Sequence, residues 1–382
     1  MASLSRRRLL AASAASLLAA PALVTPALVT PALVTPALAG PLSLNGLDGS
    51  TVRVRLPARR ILLGFYFEEF LAVGGAEALG RVVGLSRAAW KDWRPANWAE
   101  YVKVLPGLEA IPEVGEVEVG TFSVEKAIAL KPDVAILGDW QVKGLGTAAE
   151  RLAAAGIPVV VIDYHAEQPA RHAASTRLLG QVLGEEARAA RLAGEYEAAI
   201  TALRDSISAA RLPRPRIYVE LGSKGPGEQG PSYGDYMWGA LAALAGGSNI
   251  GRGVIATWGP MAAETVLASR PEVIAIAGSE WRRHPTAQLM GQGVAAEEAR
   301  ARLRGFLARP GWNALPAVRE GRVHAVYQGA SRTLADFASL QYLAKALYPE
   351  LFAGLDPQAE YLAWHARWLP IRPQGSFMLG LA

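Results

Sequence analysis

Glu125-Lys-Ala-Ile-Ala-Leu-Lys-Pro-Asp-Val134 and Glu264-Thr-Val-Leu-Ala-Ser-Arg-Pro-Glu-Val273 follow one grammar. Each has Glu first, Ala four residues later, then a base, a proline, an acid and a valine in that order. Each opening Glu also follows a glycine by five residues, Gly120 and Gly259. The pattern reads as a short helix stopped before a proline, a turn, and a buried strand. Its use twice in one chain predicts two related lobes.

The surrounding chain fits that reading. Apolar, β-rich runs at Arg60–Phe65, Arg81–Leu85, Asp133–Leu137, Pro158–Asp163, Arg216–Leu221, Glu272–Ala277 and Arg322–Tyr327 alternate with helical patterns. The helical patterns include Glu68–Leu79, Val124–Leu130 and Thr147–Ala155. Such alternation predicts α/β lobes with parallel sheets. Between the two copies, Pro169–Ala210 carries helix formers, no internal proline, and an apolar face marked by Leu178, Leu179, Val182, Leu183, Leu192, Tyr196, Ile200 and Leu203. It is expected to be one long helix joining the lobes.

The chain has 382 residues, no cysteine, and Lys+Arg 39 against Asp+Glu 34, for a net charge of +5. The length suits two domains. The absence of cysteine excludes disulfide staples, thiolate zinc and a cysteine nucleophile. Ser5-Arg-Arg-Arg-Leu-Leu10 is a twin-arginine pattern followed by a small, apolar run and three Pro-Ala-Leu-Val-Thr repeats. Ala37-Leu-Ala39 fits the small-x-small rule for cleavage before Gly40. The prolines break any membrane helix there. Taking Arg6, Arg7 and Arg8 from +5 leaves +2, so charge suggests no nucleic-acid partner. The expected organisation is a leader at 1–39, an N-terminal α/β lobe at 40–168, a linking helix at 169–211, and a C-terminal α/β lobe at 212–382 with a helical extension.

Val124–Ile136, Ala154-Ala-Gly-Ile-Pro-Val-Val-Val-Ile-Asp163 and Arg309-Pro-Gly-Trp-Asn-Ala-Leu-Pro-Ala-Val-Arg-Glu-Gly-Arg-Val323 resemble segments of the substrate-binding proteins of ABC importers for ferric siderophores, cobalamin and heme. The order of these segments along the chain is what makes the resemblance specific. It implies two Rossmann-like lobes bridged by a single long helix, with the ligand in the cleft between them. It also implies one exposed glutamate per lobe that docks on the permease dimer of the inner membrane. By motif position these are Glu125 and Glu264.

Ligands of open α/β sheets bind beyond the carboxyl ends of strands. Aromatic side chains gather there: Tyr66, Trp90, Trp140, Tyr233, Tyr236 and Tyr327, with Trp258 just before the second copy of the repeat. Large rings with few rotors suit a bulky ligand. Among the loop cations Arg87, Lys91, Arg94, Arg282, Arg283 and Arg332, the last is the foremost candidate partner for an anionic ligand. The five histidines show no metal-ligand spacing, and no nucleophile elbow or phosphate loop is present. The resemblance implies capture of an iron chelate, a ferric siderophore first, by a periplasmic monomer without catalysis or cofactor. Cobalamin or heme is the alternative within the class, and an exported α/β enzyme the alternative outside it.

Overall fold

The computed structural model describes residues 41–381, so the leader lies outside the described residues. Two sheets organise the chain. The N-lobe sheet has four strands in the order Val82–Leu85, Ile61–Leu63, Val134–Gly138, Val159–Ile162, all parallel. The C-lobe sheet has seven. Its centre, Arg216–Leu221, Val273–Gly278 and Val323–Tyr327, is parallel. All seven strands read from the sequence are therefore present. The C-lobe edges depart from the parallel expectation, because Pro231–Tyr233 and Met378–Gly380 pair antiparallel. The connection 222–230 is too short for a helical crossover, so the chain must turn straight back.

The repeated motif has one physical role in both lobes. The base before the proline, Lys131 or Arg270, sits in the left-handed region at φ 49° and 45° and ends the helix. The acid after the proline accepts from the backbone N–H of the neighbouring strand: Asp133 from Arg59 and Arg60 at 3.1 and 3.0 Å, Glu272 from Arg216 at 2.9 Å. That neighbour's guanidinium returns to the open helix end. Arg60 donates to the carbonyls of Lys131 and Leu130, and Arg216 to those of Ser269 and Arg270. The duplication is thus a strand-helix latch, and Arg60 and Arg216 are its unrecognised third member.

The linking segment is not the one long helix expected. It is a hairpin of two helices, Pro169–Leu183 and Glu186–Ala210, and only the second is long, 25 residues or roughly 37 Å. Gly184, at φ 72°, supplies the left-handed residue that ends the first helix, and Glu185 N donates back to the Gly180 carbonyl. The helices run antiparallel, tied by Arg177 to Glu197 at 2.6 Å and by Tyr196 to His172 at 3.0 Å. Gly180 permits their approach, since a Cβ there would lie 2.4 Å from Ala189 Cβ. Leu192 on the long helix and Leu203 near its far end are both buried.

The extension also joins both lobes. Its helix Pro357–Trp368 places the Trp368 ring under the guanidinium of Arg188, which donates to Ala72 in the N-lobe. No helix of the described residues is long and apolar enough to cross a membrane.

At the seam between lobes, backbone donors of one lobe meet carboxylates of the other. Glu280 accepts from Ala96 N at 2.7 Å and Asn97 N at 3.2 Å, capping the helix Pro95–Val104. Glu69 accepts from Leu334 N at 3.2 Å. Burial, reinforced by the neighbouring Glu68 charge, pushes Glu69 up to about 7. A carboxyl raised this way favours the folded, closed molecule fully below pH 4.5 and loses that contribution as pH rises through about 7. The span corresponds to about 3 kcal/mol. Urea midpoints for wild type should therefore fall between pH 4.5 and 8 relative to Glu69→Gln, which has no proton to lose. A gap between the two proteins that stays constant with pH would contradict this.

Candidate ligand cleft

Two adjoining cavities of about 240 and 230 Å³ open between the lobes, at the carboxyl ends of both sheets. They share Glu118, Leu221, Gln328 and Arg332. Leu221 and Gln328 stand at the ends of C-lobe strands, and His165 shortly after Val159–Ile162 in the N-lobe. Phe65, two residues after the strand Ile61–Leu63, is buried and forms the hub of the rings beneath the floor. Tyr66, Trp90, Trp93, Trp140 and His165 surround its ring at 5.5–6.5 Å between centroids. Gln141 Oε1 fixes this floor by accepting from Phe65 N and Gly138 N. Gly138 leaves room for it, as a Cβ there would stand 2.8 Å from Trp140 Nε1.

Arg332 is the centre of the charge. It is 8% exposed, and its backbone sits at φ 65°, a conformation that costs a non-glycine residue about 1 kcal/mol or more. Its N–H donates to Glu167 Oε1 at 2.8 Å, which holds that conformation across the seam. The guanidinium lies 4.9 Å from the Phe65 centroid and donates to His165 Nε2 at 3.0 Å. A guanidinium only donates, so Nε2 accepts and Nδ1 carries the ring proton, which goes to Tyr66 Oη at 2.8 Å. Burial first, then the Arg332 charge, pushes His165 well below its ordinary value and keeps it neutral. The neutral imidazole positions Arg332. Glu118 at the rim stands 3.6 Å from the same guanidinium.

Arg94 is the second cation of the cleft. It is buried, lies 4.4 Å over the Trp90 ring, and has no ion-pair partner among the described residues. Of the other loop cations, Arg87 pairs with Glu113, Lys91 with Glu109 and Arg282 with Glu298, while Arg283 is exposed and lines neither cavity. Gln328 Oε1 accepts from Trp238 Nε1 at 2.7 Å and from Tyr233 OH at 3.2 Å. That fixes the amide orientation and leaves its N–H groups available.

Of the sequence-derived ligand residues, Trp140, Tyr233, Tyr236, Trp258 and Arg332 line the cavity. Trp258, on the edge strand Trp258–Pro260, is 51% exposed at the mouth. Three others stand behind the wall. Tyr66 is buried and spends its hydroxyl on His165 and Tyr164 N. Trp90 is buried and donates to the Phe65 carbonyl at 2.8 Å. Tyr327 is buried with its hydroxyl toward Glu280, packed against Gly291 and Gly329. All three follow or end strands, as expected, but are turned into the core: Tyr66 caps the helix Phe67–Gly74, Trp90 lies on the inner side of the short helix Ala88–Lys91, and Tyr327 ends its strand facing Glu280. His165, Gln328 and Met237 also line the cavity; His165 and Gln328 follow strand ends, which is the signal that could have found them. Glu125 and Glu264 are exposed in the first turns of Val124–Ala129 and Ala263–Ser269, and Glu125 pairs with Arg151 at 2.7 Å.

Comparison with known proteins places this geometry. Residues 71–327 match the family described as periplasmic binding protein. The TroA-like periplasmic binding protein FepB of Veillonella parvula is 32% identical, with a TM-score of 0.84 over 90% of this chain and 100% of that one. The molybdate periplasmic binding protein MolA of Haemophilus influenzae is 17% identical, with a TM-score of 0.65 over 88% and 100%. A periplasmic heme binding protein of Pseudomonas aeruginosa is 21% identical, with a TM-score of 0.53 over 77% and 94%. At those identities the last two speak to the fold. No curated protein matches the sequence.

Proposed function

The chain belongs to the periplasmic binding protein family, and from that premise we propose that its cleft captures an anionic metal chelate, a ferric siderophore foremost, for an ABC importer. Its work is solute binding rather than catalysis, as in the family and its structural neighbours. The observation that carries the ligand class is the donor-rich wall. Two buried guanidiniums, a free amide and the Tyr236 hydroxyl face the cleft, against one rim carboxylate, Glu118. Such a wall suits a ligand rich in oxygen acceptors. Trp140, Tyr236 and Trp258 provide ring faces for its apolar part.

The same observations favour a metal that arrives already chelated. Both nitrogens of His165 are taken, and burial pushes Tyr236 up to about 12, so its phenol stays a neutral donor. A heme would look for an axial ligand here. A small oxyanion would leave the rings unused. We further infer export through the twin-arginine leader, cleavage before Gly40, and action as a periplasmic monomer.

The ligand test is fluorescence quenching of the purified protein by a ferric catecholate, a ferric hydroxamate, hemin and cyanocobalamin in parallel. Tight, saturable binding of a ferric chelate supports the proposal. Preference for hemin or cyanocobalamin moves the ligand within the class, and binding of none of the four overturns it. Docking is tested separately. The double variant Glu125→Ala with Glu264→Ala should keep wild-type chelate affinity but stimulate importer ATP hydrolysis in liposomes at least tenfold less. Each single change should be partial and salt-sensitive, as for rim charges. Wild-type stimulation by the double variant would remove these residues from docking.

A further inference from the structure

Outside the cleft, three buried side chains meet at the seam with atoms unspent. Glu167 and His172 flank the start of the helix Pro169–Leu183, and Asp336 opens the C-lobe helix Asp336–Leu347. All three are buried. His172 Nε2 is 4.0 Å from Glu167 Oε2, and His172 Nδ1 is 3.2 Å from Asp336 Oδ2. One donor atom from each residue lies within 4.8 Å of the others. Among the described residues, Glu167 Oε2, His172 Nε2 and both Asp336 carboxylate oxygens have no hydrogen-bond partner. Their remaining capacity is engaged: Arg332 N donates to Glu167 Oε1, and Tyr196 OH meets His172 Nδ1.

Buried carboxylates without partners are costly, and two so close repel each other. A divalent cation cancels both charges and uses the free imidazole nitrogen at once. One nitrogen with two carboxylates is a donor set that zinc-class ions accept. In a four-coordinate zinc site donor atoms stand roughly 3.4 Å apart, close to the 4.0 Å between His172 Nε2 and Glu167 Oε2. A partner on the second imidazole nitrogen, as Tyr196 supplies, is the usual support of a ligating histidine. Tyr196 also lines, with Phe337 and Gln341, a surface cavity of about 340 Å³. A single side chain therefore stands between that cavity and His172.

We propose that Glu167, His172 and Asp336 form a divalent metal site of zinc class that ties the N-lobe to the C-lobe, separate from the chelate-binding cleft. The sequence conceals it, because the aspartate lies more than 160 residues from the histidine and no local spacing links them.

The test uses mature protein unfolded in chelator, refolded without metal, and titrated with Zn²⁺ by calorimetry and with Co²⁺ by visible absorption. One equivalent should bind, raise the melting temperature, and give Co²⁺ the intense bands of a four- or five-coordinate site. His172→Gln and Asp336→Asn should each weaken binding more than a hundredfold and lose those bands. His165→Ala, which alters the cleft instead, should retain them. Absence of stoichiometric binding by wild type overturns the proposal. So does binding unchanged in both seam variants, or lost equally in His165→Ala. Circular dichroism checks each variant's fold, and the wild-type titration and spectrum decide alone if both seam variants misfold. Chelate affinity is read separately, so failure of this site leaves the cleft reading standing.

Discussion

Arg332→Gln should weaken ferric chelate binding by roughly a hundredfold while leaving the protein folded. The guanidinium is already desolvated, stacked on Phe65 and aimed by neutral His165. Truncating one partner of a buried charge pair typically costs 2–5 kcal/mol, and about 3 kcal/mol corresponds to that factor in Kd. The backbone N–H to Glu167 survives the change, so the left-handed turn keeps its cross-seam support. Because the loss is of a buried contact, it should appear in the dissociation rate and depend little on salt. Stopped-flow quenching separates the two rates. Wild-type affinity in Arg332→Gln would mean that the ligand's charge is met elsewhere, and Arg94→Gln would then carry the deficit.

Arg309→Met should destabilise the protein by about 3–5 kcal/mol, the usual cost of leaving a buried carboxylate unpaired. Arg309 meets Glu220 with both terminal nitrogens, at 2.6 and 2.8 Å. It also donates to the carbonyls of Gly225, Pro226 and Glu228, and its guanidinium lies over Phe306 and Trp312. Glu220 is fully buried on the central strand Arg216–Leu221 and accepts further from Tyr218 OH and Gly230 N. Glu220→Gln combined with Arg309→Met should recover part of the loss, because the stranded charge is gone. Urea denaturation of the two single variants and the double closes the cycle. Additive losses with no coupling would show that Arg309 acts through packing alone. This pair accounts for the arginine that opens Arg309-Pro-Gly-Trp312, a segment in which sequence inspection notices the proline and glycine first.

Legibility followed the range of the interactions. The hairpin of the linking segment was announced by Gly184, yet an apolar face continuing on both sides of it reads equally well as one helix. Helical periodicity records which residues are buried and leaves the direction of burial open. The site behaved likewise. Strand ends located Tyr66, Trp90, Trp140 and Tyr327 near the cleft, while burial directed Tyr66, Trp90 and Tyr327 inward and only Trp140 to the cavity. Beyond its place after a strand end, His165 carries no local signal, because its significance lies in two contacts, to Tyr66 and to Arg332 167 positions away.

By itself the sequence determined the two-lobed α/β architecture, the central strands of both sheets and the family, and it set Arg332 on a loop after a strand end. These rest on local signals: alternation of strand and helix, a helix-Pro-acid-Val turn used twice, and short motifs in order. The tertiary structure alone decided which aromatic rings line the cavity, that Arg94 and Arg332 meet over one hub of rings, and that carboxylates of each lobe receive backbone donors of the other. The reason is physical. Secondary structure is set by interactions a few residues apart, whereas the direction of a side chain, the neutrality of His165 and the elevation of Glu69 arise from groups brought together only when the lobes close and exclude water.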